Sequence, residues 1–198
     1  MSKLFGLVVC GGQSSRMGTD KSILEYHNMP QRYYIYSILN FCDNVFLSCN
    51  TNQAASIHAS YNVIIDDSQY SNIGPMAALL SAYSKFPEAS FLLVGCDYPF
   101  VDSKVLKKLI QNRSNETDAI CYFNPKTNFE EPLLAIYENS CLSNIVKNFV
   151  VGNYSLRHFL KSVNTKKIIP EFLESLTSVD TIKDFEKALI KLNENSGK

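Results

Sequence analysis

At 198 residues, with 45% hydrophobic and 19% charged side chains, the chain suits one large domain and is too apolar for a disordered one. Its 19 basic and 19 acidic residues cancel, which excludes the broadly basic face of a nucleic-acid binder and confines any anion site to a local patch. No run approaches the ~20 apolar residues of a membrane span.

The first element is LFGLVVC (4–10), a short apolar run that reads as a strand buried on both faces. It begins almost at once and ends in Gly-Gly and charge, without the small-residue cleavage site of a secretory leader, so a cytoplasmic protein is expected. The segment PQRYYIYSILNFC (30–42) reads as a helix opened by proline, followed by strands in NVFLSC (44–49) and NVIIDD (62–67). Next come a helix in GPMAALLSAYSKF (74–86), a strand in SFLLVGCD (90–97) and a helix in DSKVLKKLIQNR (102–113), capped by Asp102 or Ser103. DAICYFN (118–124) reads as a strand, NPKTNFEE (124–131) as a loop and PLLAIYE (132–138) as a further strand. CLSNIVKNF (141–149), YSLRHFLKSV (154–163) and TIKDFEKALIKLNEN (181–195) are helical, the last strongly amphipathic. Strands alternating with helices predict an α/β fold around a mostly parallel sheet, and the absence of a linker predicts a single domain over 1–198.

The six cysteines are scattered singly, with no Cys-x-x-Cys pair and no clustering with the three histidines, which argues against a zinc site. Several lie in the apolar runs, where a free thiol behaves as a small hydrophobe, as in a reducing cytosol.

Ligands of open α/β sheets bind beyond the carboxyl ends of the strands. Three polar features fall there: the loop CGGQSSRMGTDK (10–21), the pair Asp66-Asp67, and Cys96-Asp97. Gly11 and Gly12 allow backbone N–H groups to approach a phosphate, with Arg16 and Lys21 adding charge, although the same composition also makes a plain surface turn. The spacing is neither a Walker A loop nor a dinucleotide fingerprint. Asp97 ends an apolar run, where a carboxylate needs a partner; it reads either as a ligand of Mg²⁺ or as a turn cap. One of Asp66 and Asp67 is a solvated strand end, while a carboxylate beside Gly74-Pro75 suits the two adjacent N–H donors of guanine.

Taken together, the glycine loop with Arg-Met-Gly and Asp-Lys, the Asp-Ser followed by Gly-Pro-Met-Ala, and Cys-Asp-Tyr-Pro-Phe resemble the nucleotidyltransferases that make the molybdenum cofactor dinucleotides. EEPLLAIY, SLRHFL and SVDTIKDF are similar to that family's later motifs, so the likeness runs nearly the whole chain. The resemblance implies a three-layer Rossmann-like nucleotidyltransferase domain that transfers GMP from GTP to the phosphate of molybdopterin, or its molybdenum-bound form, with Mg²⁺. It implies that Val9, Cys10, Gly11, Gly12, Lys21 and Asp67 hold the nucleotide, that Asp97 binds the metal against the phosphates, and that Arg16, Lys21 and Asp97 serve the reaction. Cofactor-biosynthesis proteins or apo-molybdoenzymes are the protein partners it implies. Another nucleotide or acceptor, as in a cytidylyltransferase or a sugar-phosphate nucleotidyltransferase, or a non-catalytic nucleotide-binding role, are the alternatives.

The chain departs from the family pattern at Ser48, where an asparagine contacts the nucleotide, at Ser15, often a second arginine, and at Ala78, usually glycine. Gly95 replaces a proline and Asp180 an asparagine.

Overall fold

In the computed structural model, which describes residues 1–11 and 20–196, seven strands form one sheet. These are β1 (Leu4–Val9), β2 (Asn44–Cys49), β3 (Val63–Ile65), β4 (Ser90–Gly95), β5 (Ala119–Asn124), β6 (Phe129–Tyr137) and β7 (Thr165–Ile168), in the order β3-β2-β1-β4-β6-β5-β7. Only β6 runs against its neighbours; every other pairing is parallel. The expected α/β class with a mostly parallel sheet is what the chain forms.

The helices are α1 (Gln31–Ile38), α2 (Thr51–Ala54), α3 (Met76–Lys85), α4 (Ser103–Gln111), α5 (Asn139–Val150), α6 (Leu156–Ser162) and α7 (Ile182–Ser196). Side chains of a strand alternate between its faces, and β1 shows why this sheet must be covered twice. Phe5, Leu7 and Val9 join a core with Leu79 of α3, Leu142 of α5 and Phe159 of α6. Leu4 and Val8 join a second core with Ile35 of α1 and Leu106 and Leu109 of α4. Two apolar faces, each buried by helices, give three layers. No helix among the described residues is long and apolar enough to cross a membrane.

Two readings need correction. Residues 124–131 are not a loop throughout: β5 runs to Asn124 and β6 starts at Phe129, leaving a four-residue turn that closes with Asn128 at φ 60°. The polar residues there misled because Glu130 is a buried carboxylate in a strand, its Oε1 paired with Lys167 Nζ at 2.6 Å. Strand β7, TKKI, was not anticipated, because an edge strand with one neighbour keeps its lysines in solvent and shows no apolar run.

At the amino edge, far along β4 from its carboxyl end, Arg113 grips Glu138 through Nε and an NH₂ nitrogen at 2.7 and 2.8 Å. Ser90 Oγ donates to the same carboxylate at 2.7 Å, and both charged side chains are under one-tenth exposed. Removing one partner strands the other buried charge. Arg113→Ala should therefore lower the unfolding free energy by about 3–5 kcal/mol, read by urea denaturation, while leaving ligand affinity at the opposite edge unchanged.

Candidate functional site

Chain order and sheet order disagree at one place. The chain steps outward from β1 to β2 and β3, then returns to the other side of β1 for β4. The carboxyl ends of β1 and β4 flank this switch in strand order, the place where open α/β sheets take their ligands.

Register decides what faces it. Val9 lies opposite both Ser48 and Gly95. The ladder continues for one more residue, with Cys10 N–H donating to Ser48 O at 2.9 Å and Cys96 N–H to Val9 O at 3.4 Å. Gly11, Asn50 and Asp97 consequently emerge side by side. Val9, Cys10, Gly11, Lys21, Asp67 and Asp97 all belong to this edge or the turns leaving it; Gly12 and Arg16 lie outside the described residues.

Gly11 passes close to Asp66, whose Oδ2 would stand 3.3 Å from any Cβ at that position. Asp66 is held there by Ser48 Oγ, which donates to Oδ1 at 2.5 Å. Burial raises the Asp66 carboxyl above its usual range and the Ser48 bond partly offsets this. Asp67 is placed differently. It is exposed and caps the short turn Ser68–Tyr70, accepting from the backbone and side-chain nitrogens of Gln69, each at 3.0 Å. Of the two carboxylates, Asp66 is the one turned toward Gly11.

Gln53 ties the parts together. Its Nε2 donates to Cys10 O at 3.1 Å and Asp20 Oδ2 at 2.9 Å, while Asn50 and Gln53 cap α2 reciprocally. Asp20 in turn caps the turn Lys21–Ile23. Sequence reasoning missed Asp20 and Gln53; the Asn-x-x-Gln spacing of a capping box was the available signal.

Lys21 Nζ lies 2.6 Å from Asp180 Oδ1. Asp180 is brought there by its neighbour Val179, which is 1% exposed and donates its N–H to the carbonyl of Asp97 at 2.8 Å. Next to this group, Asp97 Oδ1 is buried and has no hydrogen-bond partner among the described residues. Burial pushes the Asp97 carboxyl up to about 6, with its own N–H and Lys21 pulling down and Asp180 and Glu131 adding to the rise. Gly95 makes the position possible, because a Cβ there would collide with Asp97 Oδ1 and press on Leu133. Glu131 is fixed by Tyr98 Oη, which donates to it at 2.9 Å.

The thiols nearby are spectators. Contact with Cys10, 4.0 Å away, and burial hold Cys96 well above the ordinary range, and burial pushes Cys49 up to about 12. Among the described residues no three or more His, Cys, Asp or Glu side chains converge as a complete metal cage. A cavity of about 260 Å³ lies behind the Asp180 segment, lined in part by Phe100, Ser178, Val179 and Lys187. Of its two acids, Glu174 is paired with Lys191 and Asp184 caps α7 through Thr181, so the candidate site remains the rim formed by Gly11, Lys21 and Asp97. A glycine at a strand end, one lysine and one unpartnered carboxylate oxygen suit a polyphosphate with a cation.

Comparison with known proteins agrees with that chemistry. Residues 6–168 match the MobA-like NTP transferase domain. A molybdenum cofactor biosynthesis bifunctional protein from Synechocystis is 29% identical over 184 residues, which is 92% of this chain and 52% of that protein. The chain thus spans about half the length of that relative. A molybdenum cofactor guanylyltransferase from Campylobacter jejuni is 28% identical, with 94% of this chain and 96% of the relative aligned. The crystal structure of molybdopterin-guanine dinucleotide biosynthesis protein A from Archaeoglobus fulgidus superposes with a TM-score of 0.79 at 20% identity, covering 96% of this chain and 99% of that one, and shows the same fold.

Proposed function

Because the chain belongs to the MobA-like NTP transferase family, we propose that it transfers GMP from GTP to the phosphate of molybdopterin, or its molybdenum-bound form, with release of pyrophosphate. The observation that carries the reading is the buried Asp97 Oδ1, unpartnered among the described residues, beside the Lys21–Asp180 ion pair on the rim that holds Gly11.

The acceptor phosphate oxygen attacks the α-phosphorus as the bond to pyrophosphate breaks, and the protein contributes no covalent group. Its task is alignment and charge. The strand-end backbone at Val9, Cys10 and Gly11, with Gly12, approaches the nucleotide, and Lys21 and Arg16 hold phosphate oxygens. Asp66 joins Asp67 as a carboxylate to test against the base, since Asp66 is the one facing Gly11.

The donor set fits a divalent cation, Mg²⁺ in this reading, with Asp97 as its protein ligand: a hard anionic oxygen, desolvated and unpartnered, is what such an ion completes. When bound, the cation supplies positive charge to the phosphate oxygens. Cofactor-biosynthesis proteins or apo-molybdoenzymes would receive the product. A cytoplasmic location follows from the same reading and is supported by the six cysteines, all free thiols.

Incubation with Mg²⁺ and each nucleoside triphosphate, with and without molybdopterin, tests the assignment through pyrophosphate release. Release should require GTP and the acceptor together. Equal turnover of CTP in competition would leave only the broader nucleotidyltransferase class.

A further inference from the structure

We propose that Asp180 is an internal competitor for the nucleotide's phosphates: its carboxylate occupies Lys21 and must be displaced each time a polyphosphate binds. The inference rests on the reading above, in which Lys21 receives the phosphates.

The segment is built so that its backbone is fixed and this one carboxylate is not. On one side Val179 is buried against Tyr26 and Ala188 and bonded to the Asp97 carbonyl. On the other, Thr181 closes the start of α7, donating N–H and Oγ1 to Asp184 at 3.1 and 2.7 Å. Asp180 stands between these anchors with its side chain 51% exposed, whereas Lys21 is 21% exposed. Apart from Lys21, its side chain's hydrogen-bond partner among the described residues is a distant one, Ser178 Oγ at 3.5 Å. Asp180 can therefore swing into water without disturbing the fold, while Lys21 is the less exposed member of the pair. The same position adds negative charge to the site, where Asp180 and Glu131 both act on Asp97. A polyphosphate that takes Lys21 separates one ion pair to form another, and its observed affinity is reduced by the strength of the pair it breaks.

A half-exposed ion pair is weak, so the handicap is small and measurable: about two- to fivefold in dissociation constant. Asp180→Asn keeps the size of the side chain and removes its charge. Titration calorimetry with GTP, and separately with inorganic pyrophosphate, should show both binding two- to fivefold more tightly to Asp180→Asn in buffer containing a chelator. The gain should vanish in a Lys21→Ala background, which a merely structural role of Asp180 would not require. Unchanged or weaker binding of pyrophosphate in chelator would overturn the proposal. So would a loss confined to Mg²⁺-containing buffer, which would make Asp180 a cation ligand instead. If Lys21→Ala alone left GTP affinity unaltered, the phosphate assignment of Lys21 would fall and the competitor with it; a weak Lys21→Ala beside an indifferent Asp180→Asn would sink the competitor only.

Discussion

Asp97→Asn is expected to reduce the rate of nucleotidyl transfer by at least about a hundredfold and, in metal-free buffer at neutral pH, to make the protein more stable. The two effects have one origin. The carboxylate's Oδ1 is buried and unpartnered among the described residues, and desolvation raises the group from 3.8 to about 6. A folded-state value above the unfolded one means that the native protein binds the extra proton between those values, so this group's contribution to stability is present below pH 3.8 and is lost as pH rises through about 6. Above that, the native state carries a desolvated charge that the unfolded chain does not. Asparagine carries none, so the variant should gain on the order of 1–3 kcal/mol at pH 7.5 and little at pH 4. Thermal unfolding at the two values reads this directly. Adding a divalent cation should narrow the gap at pH 7.5, because the parent gains a counter-charge and the variant does not. Normal turnover by the variant would make Asp97 a turn residue, and a lower melting temperature at pH 7.5 would show that the carboxylate is satisfied in the fold.

This frustration at Asp97 explains which parts of the structure were legible in the sequence. Buried parallel strands announce themselves as unbroken apolar runs, so β1, β2 and β4 could be read almost to the residue. An aspartate after such a run violates the pattern, and violations of local rules gather at functional sites. Gly11 and Asp97 were visible for that reason. Edge strands escape this logic. β7 buries little on either face, and near its start β6 carries two buried glutamates, Glu130 paired with Lys167 and Glu131 accepting from Tyr98 Oη, partners that lie on other elements. The sites of Asp66 and Asp180 were illegible for a similar reason. Whether Asp66 or its neighbour turns inward depends on a hydroxyl from Ser48 on another strand. The partner of Lys21 lies 159 positions away, delivered by the backbone bond between Val179 and Asp97. Long-range geometry of this kind has no period and no spacing.

Lys21→Ala should weaken GTP binding by about ten- to a hundredfold, in line with the ~1.5–3 kcal/mol of a charge-assisted hydrogen bond, and leave the fold intact. Lys21 lies in a three-residue turn capped by Asp20 through the backbone of Ser22, so its side chain is not needed to form the turn. Its ion-pair partner among the described residues, Asp180, is half exposed and returns to water at little cost. The remaining effect falls on Asp97. Lys21 is one of the influences holding that carboxyl down, so without it Asp97 should titrate higher than in the parent protein. The acidic limb of the kcat/KM profile should then move to higher pH in Lys21→Ala, provided the reaction needs Asp97 ionised. Affinity loss and limb shift are separable. A phosphate ligand with no electrostatic reach to Asp97 would give the first alone; a lysine that only balances local charge would give the second alone, with unaltered calorimetric affinity for GTP. Both together are expected, because Lys21 acts on the Asp97 carboxyl and, in the proposed reading, on a phosphate as well.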